Sequence, residues 1–120
     1  MKKATWKNRI IGACKAAGTY RDYFLPVIDT LSSILEKRDD AERAFAKMGG
    51  KVTVKHINKY GAENVEQNPL IRLINDLNRD ALAYWRDLGL TPAGLRKINE
   101  QAMSTPKRSA LAEALKELGG

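Results

Sequence analysis

One cysteine and one histidine serve the whole chain of 120 residues, and that scarcity excludes several functions at once. Cys14 has no second cysteine with which to close a disulfide or build a cysteine-rich zinc site. Its neighbour Lys15 would favour a thiolate, but with no second reactive group nearby Cys14 reads as a small packing residue. His56 likewise has no metal-ligating or catalytic partner close in sequence, so it reads as structural or as a weak phosphate contact. Glycine-rich phosphate loops are missing too: Gly49-Gly50-Lys51 lacks the spacing and the following Ser/Thr of a P-loop, which argues against an ATPase. No stretch approaches the roughly 20 apolar residues of a membrane span, and Lys2-Lys3 is not followed by the apolar core of a signal peptide. These absences predict a soluble protein of a reducing, cytoplasmic compartment, with no membrane partner, no metal, no cofactor and no catalytic residue.

Acidic residues are also missing from one place in particular. Residues 1–21 carry Lys2, Lys3, Lys7, Arg9, Lys15 and Arg21 and no acid, whereas 22–48 hold six acids against four bases. The formal charge of +7 is therefore concentrated at the N-terminus. Surfaces usually mix the two signs, so an unmixed basic segment points to an anionic partner rather than to a solubilising tail.

The stretch Asn68–Lys97 is the most self-consistent in the chain. Asn68 suits an N-cap and Pro69 the first helical position. Leu70, Ile74, Leu77, Ala81, Tyr84 and Leu88 follow at alternating spacings of four and three, one continuous seam on a 3.6-residue helix. Asp76 can pair with Arg72 and Arg79 on the far side, and Gly89 permits the left-handed conformation that ends a helix. Thr91-Pro92 then repeats the start signal, predicting a second helix from Pro92 to about Ala102. A first helix is expected from a Thr5 cap to Ala17, with Trp6, Ile10, Ala13 and Ala17 on one face and Gly18 as the stop. A long helix is expected from near Asp22–Leu25, where Pro26 falls in the first turn, to Gly49-Gly50. Phe24, Ile28, Leu31 and Leu35 form its seam, which Arg38 interrupts before Ala41, Ala44, Phe45 and Met48 resume it. Such a broken stripe suggests two buried faces, one within the chain and one between subunits. From Lys51 the period becomes two, with Val52, Val54 and His56 on one side, so a small β-hairpin or an irregular loop joins the long helices. Ser104-Thr105-Pro106 starts a last amphipathic helix bearing Ala110, Leu111, Ala114, Leu115 and Leu118.

The fold class expected is mainly α: a long antiparallel helical hairpin with short flanking helices and a small β-hairpin or loop between the long helices, assembling into an oligomer. Residues 1–21 form a basic helical segment, 22–102 the helical core and oligomerisation domain with the hairpin near 51–67, and 103–120 a C-terminal amphipathic helix. Tyr84 and Trp85 read as core or subunit contacts rather than base-stacking platforms. The carboxylates Asp76 with Asp80 and Asp22 with Asp29 read as solvated faces rather than metal or proton-transfer pairs. The turn Leu88–Pro92 resembles a DNA-binding helix-turn-helix with Arg96 and Lys97 on its second helix, yet Trp85 is bulky where that motif wants a small residue. Leu90, Leu95 and Ile98 equally suit a helix folded back on the first.

At Asn68-Pro69-Leu70-Ile71, Asn75-Asp76-Leu77-Asn78, Ala83-Tyr84-Trp85-Arg86-Asp87 and Leu88-Gly89-Leu90-Thr91-Pro92-Ala93-Gly94-Leu95, the chain resembles phage terminase small subunits of the P27 family. The likeness extends more loosely upstream through Gly18-Thr19-Tyr20, Leu31, Leu35, Glu36, Arg38-Asp39 and Val52-Thr53-Val54. It implies a non-enzymatic DNA-packaging protein of the host cytoplasm that forms a homo-oligomeric ring, engages double-stranded viral DNA and regulates the large terminase subunit, where catalysis resides. The resemblance assigns no DNA contact to a residue; on their charge, the basic N-terminus, with Arg96, Lys97, Lys107 and Arg108, is expected to meet DNA, and the apolar face of Leu111, Leu115 and Leu118, which needs a cover, to dock the large subunit. The competing expectation is a small helix-turn-helix transcriptional regulator, which would be dimeric.

Overall fold

A computed structural model of the chain describes residues 1–101. Its elements are helix α1 (Lys3–Ala17), a 3₁₀ turn (Asp22–Phe24), helix α2 (Leu25–Lys47), strands β1 (Thr53–Ile57) and β2 (Glu63–Gln67), helix α3 (Pro69–Asp87) and a further helix, α4, helical from 92 through 101. The fold is mainly helical with a small two-stranded antiparallel sheet. The stretch expected to form a last amphipathic helix lies outside the described residues.

Helix α1 begins two residues before Thr5, and no side chain of its own caps it. Its first amide is satisfied from outside, because Lys3 N–H donates to Glu36 Oε2 of α2 at 2.6 Å. Orphan N–H groups of a first turn donate to any oxygen in reach, so packing on α2 replaces the local cap. Gly18, with φ 74°, ends the helix as expected, and Thr19 N–H reaches back to the Cys14 carbonyl at 2.9 Å, the long-range bond of a Schellman ending. The inward face differs by one position from the expected one: Ile10 and Cys14 are fully buried, whereas Ala13 is exposed.

Helix α2 supplies the centre of the core. Ile28, Leu31 and Leu35 are all at 0 % exposure and meet Ile10 and Cys14 from α1 and Ala81 and Leu88 from the α3 end. Each such burial is worth roughly 2 kcal/mol. Ser32, buried in the same layer, satisfies its hydroxyl on the Ile28 carbonyl at 2.7 Å. The segment 1–21 thus shares one core with the long helices. Lys7 meets Asp29 while the Met1 amine meets Asp39, so α1 runs antiparallel to α2. Arg38 reaches Asn78 while Phe45 lies beside Ile71 and Ile74, so α3 is antiparallel to α2 as well. Arg38 breaks the apolar stripe at the point where the helices meet. Its guanidinium lies 5.5 Å from the Trp6 ring centroid and donates to Asp39 at 3.0 Å and to Asn78 at 3.4 Å.

Beyond Asp39, where the contacts with the start of α1 have been made, α2 faces the first half of α3. Leu70, Ile74 and Leu77 of the expected seam are half-buried, and Leu73 and Leu82 stand 47 % and 48 % exposed. An open groove of about 410 Å³ runs between Phe45, Ile71 and Ile74, with Glu42 and Asn75 at its edge. At the far end stands the β-hairpin, closed by Asn58, whose side-chain oxygen accepts from Tyr60 N–H and Ala62 N–H. Asn68 fastens the hairpin to α3. Its N–H donates to the Val52 carbonyl at 2.7 Å, its Nδ2 to the Lys51 carbonyl at 3.0 Å, and its Oδ1 caps Leu70 N–H at 3.1 Å.

Gly89 ends α3 with φ 72°, and Thr91 Oγ1 accepts from Gly94 N–H at 3.1 Å to start α4. Helix α4 then folds back over the last turn of α3. Gly94 sits so close that a β-carbon there would overlap the Arg86 carbonyl, and Ile98 Cδ1 lies 2.7 Å from where a β-carbon on Gly89 would stand.

Candidate nucleic-acid interface

The six N-terminal bases do not share one environment. Lys3 Nζ and Lys7 Nζ turn toward α2 and share the Asp29 carboxylate at 3.1 and 3.5 Å. The hydrogen bond from Lys3 is the main reason the Asp29 carboxyl is held below the usual carboxylate range; burial opposes it, and Lys7 adds to the lowering. On the same side Trp6 Nε1 donates to Asp39 at 2.7 Å. Burial pushes the Asp39 carboxyl up, but hydrogen bonds from Trp6, the Met1 amine and Arg38 outweigh it and leave it lowered. This inner face of α1 therefore spends part of its positive charge on holding the helix to α2.

The outer face is different. Lys2, Thr5, Arg9, Ala13 and Ala16 are all exposed and follow at helical spacing. Neither Lys2 nor Arg9 has a carboxylate partner among the described residues. Lys15 lies over the Tyr20 ring at 5.1 Å, and Arg21 Nη1 donates to the Tyr20 carbonyl at 2.7 Å, so both keep their charge unneutralised by an acid. That end of α1 abuts the α3–α4 turn, where Ala17 lines a groove with Leu90, Pro92 and Leu95.

Arg21 also rims a groove with Asp87, Ile98 and Gln101, and the adjoining groove, of about 430 Å³, is lined by Arg86 and Lys97. The fold thus brings Arg21, Arg86 and Lys97 to one end of the molecule, with Asp87 among them. Arg96 is exposed on α4 beside Lys97. Arg86, exposed near the end of α3, was not among the bases expected to meet DNA. The readable signal was Gly94, a small residue where a helix has to cross its predecessor closely. Lys107, Arg108, Leu111, Leu115 and Leu118 lie outside the described residues.

The apolar set divides as well. Ile28, Leu31, Leu35 and Leu88 are core, whereas Phe24, Leu70, Ile74, Leu77, Tyr84 and Trp85 are half-buried. Cys14 is sealed in the core, and burial pushes its thiol up despite the Thr19 hydroxyl nearby, which is the inert packing role rather than the activated one. His56 is exposed on β1, opposite Asn64. Among the described residues no cluster of His, Cys, Asp and Glu could hold a metal ion, and no helix is long and apolar enough to cross a membrane.

What the geometry offers is a half-covered pair of long helices, an outward row of bases on α1, and a second basic group at the α3–α4 end. No curated protein and no solved structure matches the chain. The sequence model of the family described as phage terminase, small subunit, matches residues 3–105, a span that takes in every helix and strand described above. The chain belongs to the phage terminase small subunits.

Proposed function

We propose that the chain is the non-catalytic, DNA-binding component of a viral packaging machine of the P27 type, working in the host cytoplasm as a homo-oligomeric ring. It engages double-stranded viral DNA and regulates the large subunit that carries the chemistry. The observation that carries this reading is the set of bases Lys2, Arg9, Lys15 and Arg21 along and beside α1, none with a carboxylate partner among the described residues, within a chain whose family match spans residues 3–105. The half-buried faces of α2 and α3 support self-association, because an apolar helix face left half-covered gains by burial against a neighbouring copy. A ring would repeat a modest basic patch several times along one duplex, so that individually weak phosphate contacts add through effective concentration. The C-terminal residues Leu111, Leu115 and Leu118 are assigned to the large subunit on their spacing.

Titration of duplex DNA with the purified chain at a series of salt concentrations tests this reading. If Lys2, Arg9, Lys15 and Arg21 each neutralise one phosphate, log affinity falls against log salt with a slope of about 3.6 per engaged protomer, from roughly 0.9 per phosphate. Absence of binding at low salt, or metal-dependent cleavage of the duplex by the chain alone, would overturn it.

A further inference from the structure

The β-hairpin is the one element of the described chain that covers nothing and is covered by little. Its strands pack on each other, and neither packs extensively on a helix. An isolated two-stranded ribbon is at best marginally stable in water. Yet this one exposes Val52 at 61 %, Ile57 at 65 % and Val65 at 66 %, while its base is fixed to α3 through the buried Asn68. A rigidly mounted ribbon with exposed apolar residues is built to be completed by something else.

Its edges say by what. The bonds Asn68 N–H to Val52 O and Asn58 N–H to Ala62 O show that the even-numbered residues of both strands bond inward. Thr53, Lys55 and Ile57 on β1, and Glu63, Val65 and Gln67 on β2, therefore turn their N–H and C=O groups outward. The register pairs Thr53 with Gln67, Lys55 with Val65 and Ile57 with Glu63, so these six side chains share one face, with Ile57 and Val65 as diagonal neighbours. Charge separates the two strands cleanly. β1 and its flanks carry Lys51, Lys55 and Lys59 and no acid, whereas β2 carries Glu63 and Glu66 and no base.

We propose that the hairpin is a self-complementary joint, in which the outward edge of β1 on one copy pairs antiparallel with the outward edge of β2 on the next. A β1–β1 joint would bring only lysines together and a β2–β2 joint only glutamates, and like charges across strands are destabilising. The β1–β2 joint brings the lysines of β1 beside the glutamates of β2, and the register that opposes Lys55 to Glu63 sets Thr53 against Val65. Because it uses two different edges, it is head-to-tail rather than twofold, and it closes into a ring where the rotation between successive copies allows. Every hairpin then lies between two others, and its exposed apolar face becomes part of a continuous sheet. Either face of the ribbon mixes glutamate with apolar residues, which disfavours a nucleic acid as its occupant. The inference rests on the ring reading above and assigns the joint without which the half-covered faces of α2 and α3 do not hold a neighbouring copy.

Two charge-reversed chains and one backbone variant test it, with mass in solution as the readout. K55E/K59E makes both edges acidic and E63K/E66K makes both basic. Each alone is expected to remain monomeric at concentrations where the wild type assembles. Mixed in equal amounts they are expected to assemble again, in alternation, because each supplies the edge the other lacks; a repair within one hairpin could not produce that result. Val65→Pro removes an outward N–H without touching the inward ladder and is expected to abolish assembly while the helical circular dichroism is retained. Assembly of any of the three single-species samples at wild-type strength, or failure of the mixture to reassemble, would overturn the hairpin joint alone. A wild-type chain that stays monomeric throughout would overturn the ring reading with it.

Discussion

Reversal of Lys2 and Arg9 together to glutamate is expected to weaken duplex DNA binding about tenfold or more and to flatten its salt dependence. Both side chains are exposed on the outer face of α1, and neither has an acid to neutralise it among the described residues. If each meets one phosphate, the slope of log affinity against log salt falls by about 1.8 per engaged protomer. Fluorescence anisotropy with a labelled duplex at several salt concentrations measures both quantities. Reversal of Lys3 and Lys7 is a different experiment, because those ammonium groups share Asp29. Two glutamates there face the Asp29 carboxylate and loosen α1 from α2, so the loss appears first as lower stability. Unchanged affinity in the Lys2 and Arg9 variant would move the DNA surface to the other basic group, Arg21 with Arg86 and Lys97.

Gly94→Ala is expected to be the most damaging single methyl in the molecule. The new β-carbon would overlap the Arg86 carbonyl oxygen and crowd its carbon at 2.9 Å and Thr91 Oγ1 at 3.0 Å. Backbone at the end of a packed helix cannot yield as a side chain can, so α4 must lift away from α3. Overpacking costs about 1–3 kcal/mol, and a disturbed Thr91 cap adds about 1 kcal/mol. For a chain of this size the melting temperature should fall by roughly 10–20 °C, as read by circular dichroism. Gly89→Ala is a useful comparison: it strains a residue at φ 72°, but the atoms it meets first are the side-chain ends of Ile98 and Thr19. It should cost less than Gly94→Ala. Equal melting temperatures for Gly94→Ala and the wild type would mean that α4 is not seated on Arg86.

Where local chemistry decides structure, the sequence was readable. Asn68 and Pro69 open α3, Gly89 ends it and Thr91 opens α4, because each signal involves groups only a few residues apart. The period change at Lys51 likewise marks the hairpin. What could not be read depended on partners distant in sequence. Thr5 looked like the cap of α1, but Glu36 supplies the acceptor from another helix and the start moves to Lys3. Ala13 and Cys14 both fit an inward stripe, and only contact with α2 places Cys14 inside. The basic segment was visible as composition, yet nothing local shows that Asp29 takes up Lys3 and Lys7 while Lys2 and Arg9 stay free of acids. The gathering of Arg21, Arg86 and Lys97 likewise depends on α4 folding back, which Gly94 hints at without specifying.

The decisive quantity is how many copies of the chain hold one duplex. Native mass spectrometry of the purified protein with a short double-stranded DNA counts both directly. One closed assembly of more than two identical chains carrying one duplex is expected, with the same chain number when DNA is omitted. Single chains or pairs on the duplex, or an assembly that holds no DNA at low salt, would contradict it.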